Sequence, residues 1–301
     1  MRNTVLYIIT VLIWGSTWYA IEFQIGVVAE EVALAYRFAF ASLLMFLICW
    51  IRKENLRFSA RQHYFIVLLA LGNFSCNYFF AYHAQHYLNS AMASIAFSMM
   101  LIMNIINTRL FFGVEIEKKA ILGAGFGILG LSLLFLPEIK FSELGSETLL
   151  GLGLALTGAL IASFGNMVSI RNSKQRFSIF SANAWGMAYG AIMIALVALA
   201  KGASFSLPLE NQSFLISLLF LSIFGTVVAF TSYFYLLHRI GSEKASYAIV
   251  LFPLVSIFIS SIFEDFEWTA TVYVGVVLLL LGNIIIVTPA RYFRAAIPTS
   301  A

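Results

Sequence analysis

SAMASIAFSMMLIMNIINTRLFFGVEIEKKAILGAGFGILGLSLLFLP (Ser90–Pro137) and SEKASYAIVLFPLVSIFISSIFEDFEWTATVYVGVVLLLLGNIIIVTP (Ser242–Pro289) align without a gap at an offset of 152 residues. Eleven of the 48 positions are identical, among them Ser90/Ser242, Ala93/Ala245, Glu115/Glu267, Gly123/Gly275, Gly130/Gly282 and Pro137/Pro289. Apolar helices share residues by chance. Paired Gly, Glu and terminal Pro at one fixed spacing are harder to obtain that way, so the two stretches read as copies of one unit. The charges around the copied glutamate differ. Lys118 and Lys119 follow Glu115, whereas Glu264 and Asp265 precede Glu267.

Outward from these stretches, apolar runs divide the chain into ten segments, roughly 3–23, 31–52, 62–84, 90–112, 119–137, 148–170, 178–200, 212–238, 244–263 and 269–289. Each can cross a hydrocarbon core of about 30 Å, which takes ~20 helical residues. Fifteen of the eighteen Lys and Arg fall at the termini or in every second connection. These are Arg2; Arg52, Lys53, Arg57 and Arg61; Arg109, Lys118 and Lys119; Arg171, Lys174 and Arg176; Arg239 and Lys244; Arg291 and Arg294. The other connections hold only Lys140 and Lys201, and Arg37 lies inside a span. Basic loops stay on the cytoplasmic side, so both termini are expected there, in a bacterial inner membrane. One missed or invented helix would scramble this alternation. The expected architecture is an all-α membrane protein of ten transmembrane helices in two five-helix repeats, 1–140 and 141–301, packed as one body. Five is odd, so the second repeat is expected to enter the membrane inverted, an arrangement common in transporters with a midplane site.

Composition excludes much else. The chain is 61% hydrophobic and 11% charged, with a mean hydropathy of +0.92, unlike a soluble domain. The net charge of +4 sits in short loops and does not argue for nucleic acid. Cys49 and Cys76 both fall within spans, without disulfide or metal spacing. The first apolar run keeps its tryptophans and has no small-x-small cleavage signal, so it is expected to remain as a span.

Three further stretches carry a family likeness: LIWGSTWYAIEF (Leu12–Phe23), ALAYRFAFASLLMF (Ala33–Phe46) and SEKASYAIVLFPLVSIFISSIFEDFEW (Ser242–Trp268). With ten spans in about 300 residues they resemble the EamA type of the drug/metabolite transporter superfamily, and within it the YddG-type exporters of aromatic amino acids. The resemblance implies outward movement of aromatic and other neutral amino acids, and of flat cationic compounds. One departure stands out. Leu101 occupies the position of Pro253, so only the second repeat has a helix-breaking proline, and any gating kink is expected to be lopsided.

No carboxylate lies near the middle of a span; Glu22, the nearest, sits at an outer end. A charge at the bilayer centre costs about 3 kcal/mol or more and marks ion paths, so proton antiport through a buried acid has no candidate. His83, about one turn from the outer end of its span, is a candidate coupling residue against the plainer reading of a hydrogen-bonded interface group. Arg37 reads either as a contact for a substrate carboxylate or as a structural residue that pairs with Glu22 or a helix-end carbonyl or snorkels to the outer interface. Pro253 is the gating candidate. Catalytic pairs, HExxH and nucleophile elbows are missing, and Gly123–Gly127 reads as helix packing; neither cofactor, metal nor enzyme activity is expected.

The candidate substrate residues are deep polar and aromatic side chains. They are Trp14 and Trp18; Asn73, Asn77, Tyr78 and Tyr82; Ser94 and Ser98; Ser163 and Asn166; Trp185 and Tyr189; and Tyr233, Ser246 and Tyr247. Several are four apart and so share a helix face. Some belong to the interfacial belt, while Trp14, Asn77, Tyr78 and Trp185 read as too deep for it. Indole, phenol, amide and hydroxyl groups suit flat rings and zwitterionic head groups, with cation–π contact for an ammonium. The expected function is export of small neutral or zwitterionic metabolites, amino acids including aromatic ones foremost, by alternating access, downhill or by exchange. The expected partners are a small-molecule substrate and the lipid bilayer, for a monomer or weak homo-oligomer. Lipophilic cations are the rival cargo, and an intramembrane enzyme or a receptor is the rival class.

Overall fold

The computed structural model describes residues 2–141, 145–245 and 247–288, and the described residues outside the loops are helical. The helices are α1 (Arg2–Glu22), α2 (Glu30–Ile51), α3 (Ala60–Ala84), α4 (Ser90–Phe112), α5 (Lys118–Phe141), α6 (Gly145–Lys174), α7 (Ile179–Ala200), α8 (212–245), α9 (Tyr247–Phe263) and α10 (Ala270–Val287). The first eight are long and apolar enough to cross a membrane, and shorter apolar stretches, Leu251–Phe263 and Ala270–Ile286, follow. Leu43, Trp50, Leu110, Ile216 and Phe258 project outward. In water such faces would aggregate, whereas in lipid they are the solvated surface.

The helix ends follow local chemistry. Ser59 caps α3 in a capping box with Gln62, and Asn211 caps α8 by accepting from the Phe214 amide. These two caps lie 152 residues apart. The six described residues with positive φ fall into three pairs at helix ends: Gly26 and Arg176, Lys53 and Gly202, Gly113 and Asp265. The pairs are separated by 150, 149 and 152 residues. Arg176, Lys53 and Asp265 do without glycine at such helix ends, where a left-handed residue satisfies the last carbonyls.

Helix packing has the same regularity. Exchanging αn with αn+5 turns α1–α8 into α6–α3, α1–α9 into α6–α4, and α2–α8 into α7–α3. The pairs α2–α7, α4–α9 and α5–α10 map onto themselves. The α5–α10 crossing is antiparallel and closes on glycines. A Cβ on Gly130 would lie 2.5 Å from the Gly275 carbonyl oxygen, and one on Gly275 would lie 2.7 Å from the Gly130 oxygen. Gly123 and Gly282 face each other in the same reciprocal way. Small residues allow such approach, and van der Waals contact then supplies the association that lipid does not.

Three interruptions shape the bundle. Leu71–Ser75 in α3 and Leu221–Val228 in α8 are widened π-type turns. In each a hydroxyl takes a carbonyl five residues back, Ser75 that of Ala70 and Thr226 that of Leu221. The third lies away from the proline. α9 runs through Pro253 without a break, whereas α4 breaks at Met99. Ser98 Oγ donates to the Ile95 carbonyl at 2.7 Å, and the Met99 amide turns to Ala96 instead. A serine bond back along a helix bends it without proline.

Candidate functional site

A cavity of about 70 Å³, room for several waters, opens between α1, α3, α4, α6, α8 and α9. These six helices form three pairs under the same exchange, and α2, α5, α7 and α10 stand outside. Seven of the fifteen described wall residues are aromatic: Trp14, Trp18, Tyr78, Phe97, Phe230, Tyr233 and Phe252. Trp14 packs edge-on to Phe230 and tilted against Tyr233 at 4.9 Å, while Trp18 stands between Phe97 and Phe252. The polar part is Thr17 and the amides of Asn73, Asn77 and Asn166. Asn73 Nδ2 donates to Asn166 Oδ1 at 3.4 Å, and Asn166 Nδ2 reaches Asn104 Oδ1 at 3.3 Å. Trp14 Nε1 and Asn77 Oδ1 are buried without a hydrogen-bond partner. Among the described residues no Asp, Glu, Lys or Arg lines the wall.

Seven of the residues singled out by sequence meet here: Trp14, Trp18, Asn73, Asn77, Tyr78, Asn166 and Tyr233. Others have different employment. Ser94 and Ser98 are fully buried and bond to Ala91 and Ile95 carbonyls in their own helix. Ser163 accepts from Asn107 Nδ2 at 2.8 Å, tying α4 to α6. Trp185, which reads as deep in the sequence, donates to the carbonyl of loop residue Leu56 at 3.1 Å and stacks on Tyr189. The Tyr189 hydroxyl pairs with His63 Nδ1 at 2.9 Å. That cluster belongs to the basic-loop end of α7, not to the cavity. Ser246 and the side chain of Tyr247 lie outside the described residues. His83 bonds the Phe79 carbonyl through Nδ1 at 2.8 Å, with its ring on Phe79.

Arg37 is fully buried, and its partner is not Glu22. Nε donates to Thr226 Oγ1 at 3.0 Å and Nη1 to the Tyr82 hydroxyl at 3.2 Å, which itself donates to Gln24. The guanidinium lies over the Tyr78 ring, 4.6 Å from its centre. Glu22 instead accepts from Gln85 Nε2 at 2.7 Å. At the same end Glu264 accepts from the Ser90 hydroxyl and amide, capping α4 from the end of α9.

Sequence reasoning missed Ile21, Ala81, Phe97, Met100, Ala162, Phe230 and Phe252 as wall residues. The 152-residue offset, applied within Ser90–Pro137 and beyond it, finds several of them. Trp14/Asn166, Tyr78/Phe230, Ala81/Tyr233 and Met100/Phe252 are all wall residues separated by that offset.

A helical membrane body around a polar-aromatic cavity has the build of a small-molecule transporter. The EamA-like transporter family matches residues 2–136 and again 149–288, and the chain belongs to it. The chain is 24% identical to the protein PagO of Salmonella typhimurium over 286 residues, 94% of this chain and 90% of the relative. It is 25% identical to the transporter YoaV of Bacillus subtilis over 287 residues, 94% and 96% of the two chains. A protein known from a crystal structure shares the fold with a TM-score of 0.69 at 16% identity, over 94% of this chain and 96% of that one. The protein is thus a multi-pass membrane transporter with a small-molecule substrate, and not an enzyme.

Proposed function

We propose that this transporter exports small neutral or zwitterionic metabolites, foremost amino acids including aromatic ones, across a bacterial inner membrane with both termini cytoplasmic. The carrying observation is the cavity wall: rings for a flat side chain, three amides and a threonine for a polar head, and no fixed charge. Units 1–140 and 141–301 are proposed as inverted five-helix repeats that rock about this cavity. Support comes from the double family match, the antiparallel α5–α10 glycine crossing and the helix exchange by five. Accessibility labelling is expected to find Glu115 and Glu267 on opposite faces; labelling from one face sinks the inversion.

The driving force is proposed to be the substrate gradient or exchange, because among the described residues no carboxylate lines the cavity. Counterflow of labelled phenylalanine in proteoliposomes, run with and without a pH gradient, tests both parts. Counterflow is expected without the gradient. Strict dependence on it defeats the downhill version, and absence of counterflow for phenylalanine and all neutral amino acids defeats the substrate class. An aromatic wall also suits organic cations through cation–π contact, so these form the second reading.

A further inference from the structure

We propose that Arg37 is the charge selector of the cavity: its buried cation favours ligands that carry a carboxylate and rejects amines that lack one. The inference rests on the cavity being the substrate site and adds the sign of the ligand's recognised group.

Among the described residues the wall has no charge of its own, but a charge stands directly behind it. Tyr78 belongs to both, lining the cavity and carrying the guanidinium of Arg37 over its ring. A second contact brings the cation close to another wall residue. A Cβ built on Gly225 would lie 3.5 Å from Arg37 Nη2 and 2.8 Å from Thr17 Cγ2. Nη2 and Thr17 thus flank the same point on the widened turn of α8. Nη2 is buried and donates no hydrogen bond.

What surrounds Arg37 does not neutralise it. Its hydrogen-bond acceptors are two uncharged hydroxyls, Thr226 and Tyr82. Among the described residues no acid forms an ion pair with Arg37: Glu31 pairs with Lys201, and Glu22 accepts from the Gln85 amide. A buried cation without an anion is costly, and that cost falls when a carboxylate comes near. Protein and lipid screen poorly, so the field of Arg37 extends through Tyr78 and Thr17 into the cavity. An amino acid then binds with its carboxylate toward Trp14, Thr17 and Tyr78. Its side chain lies toward Trp18, Phe97 and Phe252. An organic cation meets repulsion at the one end and finds only rings at the other. Arg37 acts through its neighbours and is a positioning residue, not a contact.

Three probes with the same ring separate charge from shape: 3-phenylpropanoate, 3-phenylpropanol and phenethylamine. Each is titrated into the purified protein in detergent at pH 7 and followed by intrinsic tryptophan fluorescence. The wild type is expected to bind 3-phenylpropanoate at least about tenfold more tightly than phenethylamine, with the alcohol between them. Arg37→Gln is expected to erase that order. Arg37→Lys, which keeps the charge but loses the guanidinium fork, is expected to retain it. A purely structural role would lower the stability of both variants and leave the order of ligands unchanged. Equal or tighter binding of phenethylamine by the wild type overturns the proposal, with no variant needed. So does an order that survives Arg37→Gln, or failure of all three probes to bind. Absent phenylalanine counterflow together with a preserved preference for 3-phenylpropanoate would sink the amino-acid reading alone.

Discussion

Between α5 and α10 the closest contacts are backbone on backbone, Gly123 against Gly282 and Gly130 against Gly275. Around the cavity glycines also bring backbones together, Gly72 against Gly165 and Gly15 against the Phe252 carbonyl, but between such contacts rings and amides fill the centre incompletely. The first region has no room for one added carbon. The second leaves polar atoms such as Trp14 Nε1 and Asn77 Oδ1 without partners, a state that protein interiors otherwise avoid. In a bilayer, where apolar burial does little to join helices, tight crossings can supply the cohesion that lets the centre remain loosely filled. The comparison therefore separates substitutions that damage the fold from those that damage transport.

The largest effect is expected at the crossing. Gly130→Leu sets a side chain against the Gly275 oxygen and the Leu279 amide nitrogen, and backbone cannot move aside cheaply. It is expected to cost about 3 kcal/mol or more, lowering the melting temperature by roughly 6–12 °C or preventing folding. Thermal unfolding in detergent measures it, and an unchanged Tm would break the distinction. At the cavity the pattern should reverse. Trp14→Ala removes a ring packed on Phe230 and Tyr233. It is expected to lower the phenylalanine counterflow rate about tenfold while Tm falls far less than in Gly130→Leu. A loss of Tm as large as that of the glycine variant would show Trp14 to be scaffold. The smallest test concerns the matching helix caps. Ser59→Ala and Asn211→Ala are each expected to cost about 1 kcal/mol, by similar amounts and without altering substrate preference. A difference of several-fold between them would weaken the equivalence of α3 and α8.

The helices were legible because continuous apolar runs mark them directly. The positions of Trp14, Asn77, Tyr78 and Asn166 were legible because polar groups so deep have few places to go. Other features depend on contacts between distant segments. Trp185 reads as deep until the Leu56 carbonyl comes over to meet it. Glu22 reads as a partner for Arg37, yet Gln85 takes the acid and Thr226, 189 residues from Arg37, takes the base. The α4 break was hidden for a different reason: proline signals a kink from sequence, whereas Ser98 makes one only through the carbonyl it selects. Wall residues such as Phe230 and Phe252 look like ordinary lipid-facing or core aromatics. Only their offset from Tyr78 and Met100 distinguishes them.

The widened turn in α3 has a consequence for how the chain can vary. A π turn holds an extra residue, and each residue advances an α-helix by about 100°. Everything beyond Leu71–Ser75 is therefore out of phase with the helix that precedes it, and the phase that results points Asn77, Tyr78 and Ala81 at the cavity. Deleting one residue there would mend the hydrogen-bond ladder and swing those three side chains off the wall, leaving a more regular helix and a poorer carrier.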